Sequence, residues 1–252
     1  MVETTERFTN RVEDYVKYRP SYPAKVLDVL RNECGLTPTS VVADVGSGTG
    51  MLSKLFCDFG CTVYGVEPNQ KMREAGERYL SGCANFVSVN GSAEMTNLNA
   101  TVDFVTAAQA FHWFHLSDAR HEFMRILKPN GWAVLVWNDR KLDDPFGIAY
   151  EALMVEYSID YNAVKHQGKQ TQDTLEQFYG HSQFKKATID NPQRFDRESL
   201  IGRVLSASYV PKDGQPRHEE LVREVNRLFD EQQKNGAVVM GQETNVFYGQ
   251  MS

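Results

Sequence analysis

The sequence predicts an α/β fold built on a doubly wound, mostly parallel β-sheet. Two observations lead to this prediction. Segments typical of strands and helices alternate from about residue 40 to residue 138, as they do in consecutive βαβ units with right-handed crossovers. The strand segments are almost continuously apolar, which is typical of strands covered by helices on both faces.

The predicted elements follow one another in a regular order. A helix with apolar residues at helical spacing (24–34) precedes the first strand, SVVADVG. The following segments indicate, in turn, helix GMLSKLFCDFG, strand CTVYGVE, helix NQKMREAGERYL, strands ANFVSVNG and VDFVTAAQAF, helix DARHEFMRIL and strand WAVLVWN. After Asp139 the alternation stops, and we expect helices over much of the remainder with strands near 184–194 and 237–249.

The length of 252 residues suits one domain that spans the whole chain, 1–252. Its predicted parts are an N-terminal helical segment (1–35), a sheet core (40–138), a helical block (143–180) and C-terminal strands and helices (184–252). A block of about 40 residues rarely forms an independent core. We therefore expect 143–180 to lie over the carboxyl edge of the sheet as a cap.

Composition argues against several classes of function. The net charge is −6, whereas nucleic-acid-binding surfaces usually carry a basic excess. The N-terminus lacks the apolar segment of a signal peptide, and no apolar run reaches about 18 residues. The four cysteines form no CxxC pair. The sequence therefore predicts a cytoplasmic protein with reduced thiols, no metal, no membrane contact and no nucleic-acid partner.

A glycine-rich turn after the first predicted strand indicates a ligand site. Gly46, Gly48 and Gly50 lie in DVGSGTG, between that strand and its helix, at the sheet edge where open α/β folds bind ligands. Glu67 ends the second predicted strand, and an acid there can accept hydrogen bonds from both ribose hydroxyls of an adenosyl group. These features fit NAD, FAD and S-adenosylmethionine alike.

The glycine spacing distinguishes among these ligands. A dinucleotide fingerprint, GxGxxG, would require glycine at Met51, but the chain has GxGxG with the third glycine at Gly50. A GxxxxGK[ST] phosphate loop is absent from the sequence as well. The spacing disfavours a nucleotide-dependent oxidoreductase and favours an adenosyl cofactor without phosphate.

The sequence resembles the class I S-adenosylmethionine-dependent methyltransferases. DVGSGTG is similar to their first motif, VYGVEPN to their second, and VNGSAEM, DFVTAAQAFHWF and ILKPNGWAVLV to later segments, in the expected order. YRPSYP and AQAFHWF resemble the small-molecule branch that includes trans-aconitate methyltransferase-like proteins. The resemblance implies a Rossmann-like methyltransferase fold with seven strands, a helical cap insertion, and S-adenosylmethionine as cofactor with S-adenosylhomocysteine as product.

The resemblance also implies a set of cofactor-binding residues. The glycines should run under the methionine part, with Asp44 near its amino group, while Pro68 or Asn69 flanks the adenine. Relatives often carry Asp at the position of Ser92. Tyr18 or Tyr22 should cap the methionine end. The complete set is Tyr18, Tyr22, Asp44, Gly46, Ser47, Gly48, Gly50, Glu67, Pro68, Ser92, Ala93, Ala108 and Gln109.

Candidates for acceptor binding and catalysis carry weaker signals. His112 can act as a base near the expected methyl group, or it can be a structural imidazole. Arg19 can meet a carboxylate, and Trp113 can form a pocket wall. Further pocket candidates from the helical block and from SASYVP are Tyr150, Tyr157, Tyr161, His166, Tyr179 and Tyr209.

In-line transfer from a sulfonium requires alignment and exclusion of water rather than a fixed triad. The sequence therefore favours transfer of a methyl group to a small molecule. Two alternatives stay open. One is a protein that binds the adenosyl cofactor without transferring a methyl group, and the other is a methyltransferase that acts on RNA or protein.

Overall fold

The computed structural model describes Tyr18 and residues 21–158, 171–207 and 209–251. Nine strands occur in this part of the chain: β1 Val41–Val45, β2 Thr62–Val66, β3 Phe86–Val89, β4 Val102–Ala108, β5 Leu127–Arg140, β6 Lys185–Asp190, β7 Gln193–Phe195, β8 Val238–Met240 and β9 Gln242–Gly249. Seven of them form one sheet in the order β3-β2-β1-β4-β5-β9-β6. Strands β1 to β5 pair in parallel, and β9 is antiparallel to both β5 and β6. The predicted doubly wound, mostly parallel seven-stranded sheet is confirmed.

The described residues also contain eight α-helices and a short 3₁₀ helix, Phe111–Trp113. The α-helices are α1 Lys25–Cys34, α2 Met51–Phe59, α3 Gln70–Tyr79, α4 Leu116–Ile126, α5 Pro145–Tyr157, α6 Gln172–Tyr179, α7 Arg197–Leu205 and α8 His218–Gln232. Side-chain caps fix several helix starts: Asn69 accepts from Met72 N, and Asp144 accepts from Gly147 N. None of the described helices combines the length and the apolar character needed to cross a bilayer.

The sheet is covered by apolar side chains on both faces, as the near-continuous apolar runs predict. On one face, Val42 and Val134 pack with residues of α1 and α2 such as Leu30 and Phe56. On the other face, Ala43, Leu135 and their neighbours pack with residues of α4 and α6. Adjacent strand residues thus serve opposite cores, because side chains alternate along a strand. The arrangement leaves the carboxyl ends of β1, β2 and β4 to form a shared edge.

The two helices described within the block 143–180 belong to different cores, in contrast to the single cap that the sequence predicts. Helix α6 packs against the sheet, where the Phe178 and Phe123 rings are 5.5 Å apart between centroids. Helix α5 instead buries Phe146, Tyr150 and Met154 in a second apolar cluster with α7, α8 and the β7–β8 pair. The helical pattern predicts α5 and α6, but it does not show which partner each apolar face packs against.

The predicted strand near 237–249 is likewise divided. Residues Val238–Met240 pair with β7 in the small two-stranded sheet, whereas Gln242–Gly249 enters the main sheet between β5 and β6. Gly241 lies between the two strands, and a Cβ there would lie 3.2 Å from the Cβ of Lys141. The single strand predicted near 237–249 therefore forms two strands that belong to different sheets.

Tyr179 tests the role of α6 in the sheet core. Its ring is fully buried, and its hydroxyl donates to the carbonyls of Ala133 on β5 and Phe247 on β9 at 3.3 and 3.2 Å. Tyr179→Phe should lower the free energy of unfolding by about 1 kcal/mol in urea titrations, because two carbonyls lose a buried donor. Tyr79→Phe, at an exposed position, is the control. Equal stability of the Tyr179 variant and the wild type would contradict this role.

Candidate active site

A cavity of about 260 Å³ opens at the carboxyl ends of β1, β2 and β4. This is the sheet edge at which the glycine-rich turn was expected to bind a ligand. Thirteen of the residues singled out in the sequence line this cavity: Tyr22, Asp44, Gly46, Ser47, Gly48, Glu67, Pro68, Asn69, Ser92, Ala93, Ala108, Gln109 and Trp113. Segments far apart in the chain thus meet at one place.

The glycine-rich turn is fixed by its own backbone. Gly46 and Gly48 have φ values of 70° and 57°, which favour glycine. A Cβ at Gly46 would lie 2.6 Å from the Cβ of Ala110, so the loop runs close under the segment after β4. The amides of Gly46 and Ser47 both donate to the carbonyl of Val66 at the end of β2, at 2.9 and 3.1 Å. The floor of the cavity is therefore set by main-chain contacts.

Gly50 has a different role from its two neighbours. It does not line the cavity, and a Cβ at this position would lie 2.6 Å from Cδ1 of Leu80 and 3.8 Å from Cα of Gly76. The third glycine of the motif allows α2 to begin close to α3. The structure thus gives Gly50 a packing role in place of the predicted contact with a cofactor.

Glu67 ties the glycine turn to the end of β2. Its side chain is only 8% exposed, and its two oxygens accept hydrogen bonds from Gly48 N and Asn69 N, each at 2.9 Å. Burial raises the pKa of this carboxyl above its usual value, while the two amide donors and Arg73 act against that rise. Each carboxylate oxygen can accept more than one hydrogen bond. Glu67 can therefore hold the loop and still bind two hydroxyls of a ligand.

Asp44 lies deeper in the same wall. It is 1% exposed, and its carboxyl accepts hydrogen bonds from the hydroxyls of Ser53 at 2.6 Å and Thr106 at 3.1 Å. Burial raises the pKa of Asp44 to about 6 despite these donors. A cationic group bound nearby would favour the ionised carboxylate.

The hydroxyl of Thr49 indicates that the cavity suits a polar ligand. Thr49 lines the cavity and is 2% exposed, and its Oγ1 is buried without a hydrogen-bond partner among the described residues. A buried hydroxyl without a hydrogen-bond partner lowers the stability of the folded protein. A ligand group that hydrogen-bonds to Oγ1 would recover it.

The far end of the cavity lies in the loop after β3. The Ser92 hydroxyl accepts from Glu94 N at 3.3 Å, so one of its acceptor positions is used within the loop. Glu94 also lines the cavity, and its Oε1 accepts from His115 N at 2.8 Å. Buried Glu122 anchors the loop by accepting from Thr96 N at 2.8 Å. The cavity therefore ends at a loop that presents a carboxylate.

The segment after β4 forms a further part of the cavity wall. Gln109 has a φ of 52°, which is uncommon for a residue other than glycine. Its backbone amide donates to Val136 O at 2.9 Å, and its side-chain amide donates to Asn138 O at 3.0 Å. These bonds to β5 stabilise the unusual backbone turn at the cavity wall.

His112 and Trp113 follow on the 3₁₀ helix. Trp113 lines the cavity, but His112 does not, although the two rings are 4.6 Å apart between centroids. Burial lowers the pKa of His112 to about 4, and its Nδ1 has no hydrogen-bond partner among the described residues. An imidazole with so low a pKa is neutral at pH 7 and is a weak base.

Several predicted residues lie away from the cavity. Tyr150 and Tyr209 are buried in the second apolar cluster, which also holds Tyr157. Tyr18 packs on α7 and does not cap the cavity. Tyr150, Tyr209 and Tyr18 therefore do not line the cavity, in contrast to the prediction. Contacts with segments far away in the sequence decide where these aromatic rings lie. Three other predicted residues are outside the described part of the chain: Arg19, Tyr161 and His166.

Sequence reasoning also missed part of the cavity wall. The additional lining residues are Thr49, Met51, Leu52, Met72, Glu94, Ala110 and Phe114. Several of these stand next to a recognised motif, so proximity to the motif was an available signal. Glu94 lies within the recognised segment VNGSAEM, but the sequence does not show that its side chain turns toward the cavity. Among the described residues, no group of three or more His, Cys, Asp or Glu side chains is arranged to hold a metal ion.

Comparison with known proteins shows what the sheet core is similar to. Residues 43–135 match the family model described as a methyltransferase domain. An uncharacterized methyltransferase-like protein of Schizosaccharomyces pombe is 33% identical over 135 residues, which are 53% of this chain and 52% of the relative. The chain spans about half the length of the curated relatives it matches.

Solved structures share the fold over a longer stretch. A Geobacter sulfurreducens SAM-dependent methyltransferase in complex with S-adenosylhomocysteine has a TM-score of 0.52 at 14% identity, covering 98% of this chain and 99% of that one. The Haemonchus contortus phosphoethanolamine N-methyltransferase 2, in complex with phosphomonomethylethanolamine and S-adenosylhomocysteine, has a TM-score of 0.60 at 14% identity, covering 99% and 59%. The chain thus has the Rossmann-like methyltransferase fold.

Residues 43–135 are therefore similar to a methyltransferase domain. The matched range includes the cavity-lining residues from Asp44 to Phe114.

The raised pKa of Asp44 gives stability a defined pH dependence. Below pH 3.8, the usual Asp pKa, the carboxyl is protonated in both the folded and the unfolded protein. Between pH 3.8 and about 6, it is ionised in the unfolded protein but still protonated in the folded protein. The contribution of this group to the free energy of unfolding of the wild type therefore falls as the pH rises from 3.8 to about 6. Asp44→Asn does not titrate. Its free energy of unfolding relative to wild type should rise by about 2 kcal/mol from pH 4 to pH 7.

Urea unfolding at both pH values measures this difference. Asp213→Asn is the matched control, since the Asp213 side chain is fully exposed. A free-energy difference between Asp44→Asn and wild type that stays constant with pH would contradict the burial of Asp44 in the folded protein.

Proposed function

We propose that the chain is an S-adenosylmethionine-dependent methyltransferase that transfers a methyl group to a small-molecule acceptor by in-line displacement. The observation that carries this proposal is the cavity that brings Glu67, the glycine turn and the loop after β3 together. An adenosyl group needs hydrogen-bond acceptors for its ribose and a close backbone approach on one side. Both are present in one wall, and residues 43–135 match a methyltransferase domain.

The proposed cofactor contacts follow the order of the strands along the sheet edge. Glu67 accepts from the ribose hydroxyls, and the turn from Gly46 to Gly48 lies under the methionine part. Asp44 interacts with the amino group, with the main chain of Ala108 and Gln109 close to the same group. The base then extends past Pro68 toward the loop after β3, where Ser92 and Ala93 contact its edge.

The reaction places modest demands on the protein. The sulfonium supplies an already activated methyl group, so the chain has to hold the acceptor in line and exclude water. The Tyr22 and Trp113 side chains line the cavity and are suited to excluding water. The proposed reaction does not use His112 as a base, because its low pKa makes it a poor proton acceptor.

The charge of the chain favours a small acceptor over nucleic acid. The chain has a net charge of −6, whereas nucleic-acid-binding proteins usually carry a basic excess. The Haemonchus contortus protein holds a small molecule, phosphomonomethylethanolamine, on the same fold. The resemblance to the branch that includes trans-aconitate methyltransferase-like proteins stays a prediction, as does the atom that is methylated.

Calorimetric titration with S-adenosylhomocysteine and S-adenosylmethionine tests the proposal, with NADH as a negative control. Glu67→Ala should weaken binding of both adenosyl ligands by at least about tenfold, because two hydrogen bonds to a charged acceptor are lost. Glu74→Ala, on the exposed side of α3, is the matched control.

Incubation with a labelled methyl donor and pools of small carboxylic acids, phenols and amines then tests transfer. Binding without transfer to any pool would support a cofactor-binding protein that has no transferase activity. Failure of the folded wild type to bind either adenosyl ligand would refute the proposed function.

Glu94 supplies a second specificity test within the same site. Its Oε2 has no hydrogen-bond partner among the described residues, and its carboxylate lies where the base would end. We expect this carboxylate to accept from the adenine amino group, a role that Ser92 fills less strongly because an uncharged hydroxyl is the weaker acceptor.

S-inosylhomocysteine, in which a carbonyl oxygen replaces the adenine amino group, measures this contact. Glu94→Gln should reduce the preference for S-adenosylhomocysteine over this analogue about tenfold, because the glutamine amide can donate to the carbonyl oxygen. Ser92→Ala is the control and should largely keep the preference. An unchanged preference in Glu94→Gln would show that Glu94 does not read the base.

A further inference from the structure

Helix α7 contains a glycine in its interior, at Gly202, far along the chain from the glycine turn. An interior glycine destabilises a helix by about 1 kcal/mol relative to alanine. A packing reason is visible at this position. A Cβ on Gly202 would lie 2.4 Å from both Cε2 and Cζ of Tyr18, so the aromatic ring lies directly on the helix backbone.

Tyr18 makes a second contact with the same helix. Its hydroxyl donates to Oε1 of Glu198 at 3.4 Å. Glu198 precedes Gly202 by four residues and so lies on the same face of α7. The ring and the hydroxyl of Tyr18 are thus held at two adjacent points of one helix.

Four residues after Tyr18, the chain reaches the cavity. Tyr22 lines the cavity wall, and the preceding carbonyl of Ser21 accepts from Nδ2 of Asn191 at 3.1 Å. Asn191 also donates to Oγ1 of Thr244 at 3.2 Å, next to the end of β5. Four residues can span at most about 14 Å. The place where Tyr18 docks therefore limits where Tyr22 can lie.

Helix α7 and the cavity belong to different parts of the molecule. Its neighbours Leu200 and Val204 are buried in the second apolar cluster, with α5 and α8, whereas the cavity lies at the edge of the main sheet. The contact between Tyr18 and Gly202 joins the second cluster to the cavity wall.

From these contacts we infer that Gly202 is a docking position for Tyr18, and that this contact positions Tyr22 as a wall of the cofactor cavity. The identity of the ligand rests on the proposed function. Gly202 acts through Tyr18 and Tyr22 and does not touch the cavity, so it is a positioning residue. Because Gly202 has no side chain, Tyr18 can dock there, and the affinity of the cavity for an adenosyl ligand depends on this docking.

Substitutions at both ends of the contact test this inference by calorimetry with S-adenosylhomocysteine. Gly202→Ala should weaken binding about tenfold, because the added methyl group displaces the Tyr18 ring. Tyr18→Ala should weaken it by a similar factor. The double variant should bind no more weakly than Tyr18→Ala, since the two changes break one contact. Gly82→Ala, where an added Cβ meets nothing within 4 Å, is the control.

A further comparison separates positioning from a general loss of structure. In a Tyr22→Ala background, Gly202→Ala should have no further effect on binding, because the wall that it positions has already been removed. Alanine is favoured over glycine in a helix, so unfolding of α7 is not the expected cause of a loss. A full tenfold effect of Gly202→Ala in the Tyr22→Ala background would overturn the inference.

Hydrogen exchange in the absence of ligand tests the docking independently of the ligand's identity. The amide of half-buried Tyr22 should exchange faster in Gly202→Ala than in wild type. Exchange at the wild-type rate would overturn the docking role. Failure of the wild type to bind S-adenosylhomocysteine would count against the proposed function, while the exchange result would still decide whether Tyr18 docks on Gly202.

Discussion

The buried carboxylate of Glu67 is the constraint on which the site depends. It accepts hydrogen bonds from the amides of Gly48 and Asn69, so it fixes the ends of β1 and β2 relative to each other. A buried carboxylate is costly unless donors compensate it. Because two main-chain amides already do so, Glu67 stays in place and keeps its remaining acceptor positions directed at the cavity. The site is preorganised by the same bonds that stabilise the loop.

Other parts of the fold, nearer and farther from Glu67, also hold the cavity wall in place. Parallel pairing of β1 with β2 and β4 brings three strand ends to one edge. Gly46 allows the segment after β4 to approach the glycine turn, and Gly50 allows α2 and α3 to pack. The second apolar cluster contributes through Tyr18, which lies on α7. We propose that this contact links the cavity wall to the packing of the C-terminal helices.

Local pattern was enough to predict the sheet core, the glycine turn and Glu67, whereas the resemblance to methyltransferases implied most of the other wall residues. Strands buried on both faces give continuous apolar runs, and the glycine turn and Glu67 stand at the ends of such runs. Contacts between distant segments could not be predicted in this way. Three features depend on partners far away in the sequence. They are the packing of α5 and α6 in different cores, the division of the terminal strand at Gly241 and the contact of Tyr18 with Gly202.

A crystal structure of the protein with S-adenosylhomocysteine tests the central claim most directly. The account predicts that the Glu67 carboxylate lies within hydrogen-bonding distance of both ribose hydroxyls while it still accepts from Gly48 N. The methionine part should lie over the glycine turn, and the base should reach the loop that contains Ser92 and Glu94. A ligand bound elsewhere, or a Glu67 side chain that has left Gly48 to reach the ribose, would contradict the account.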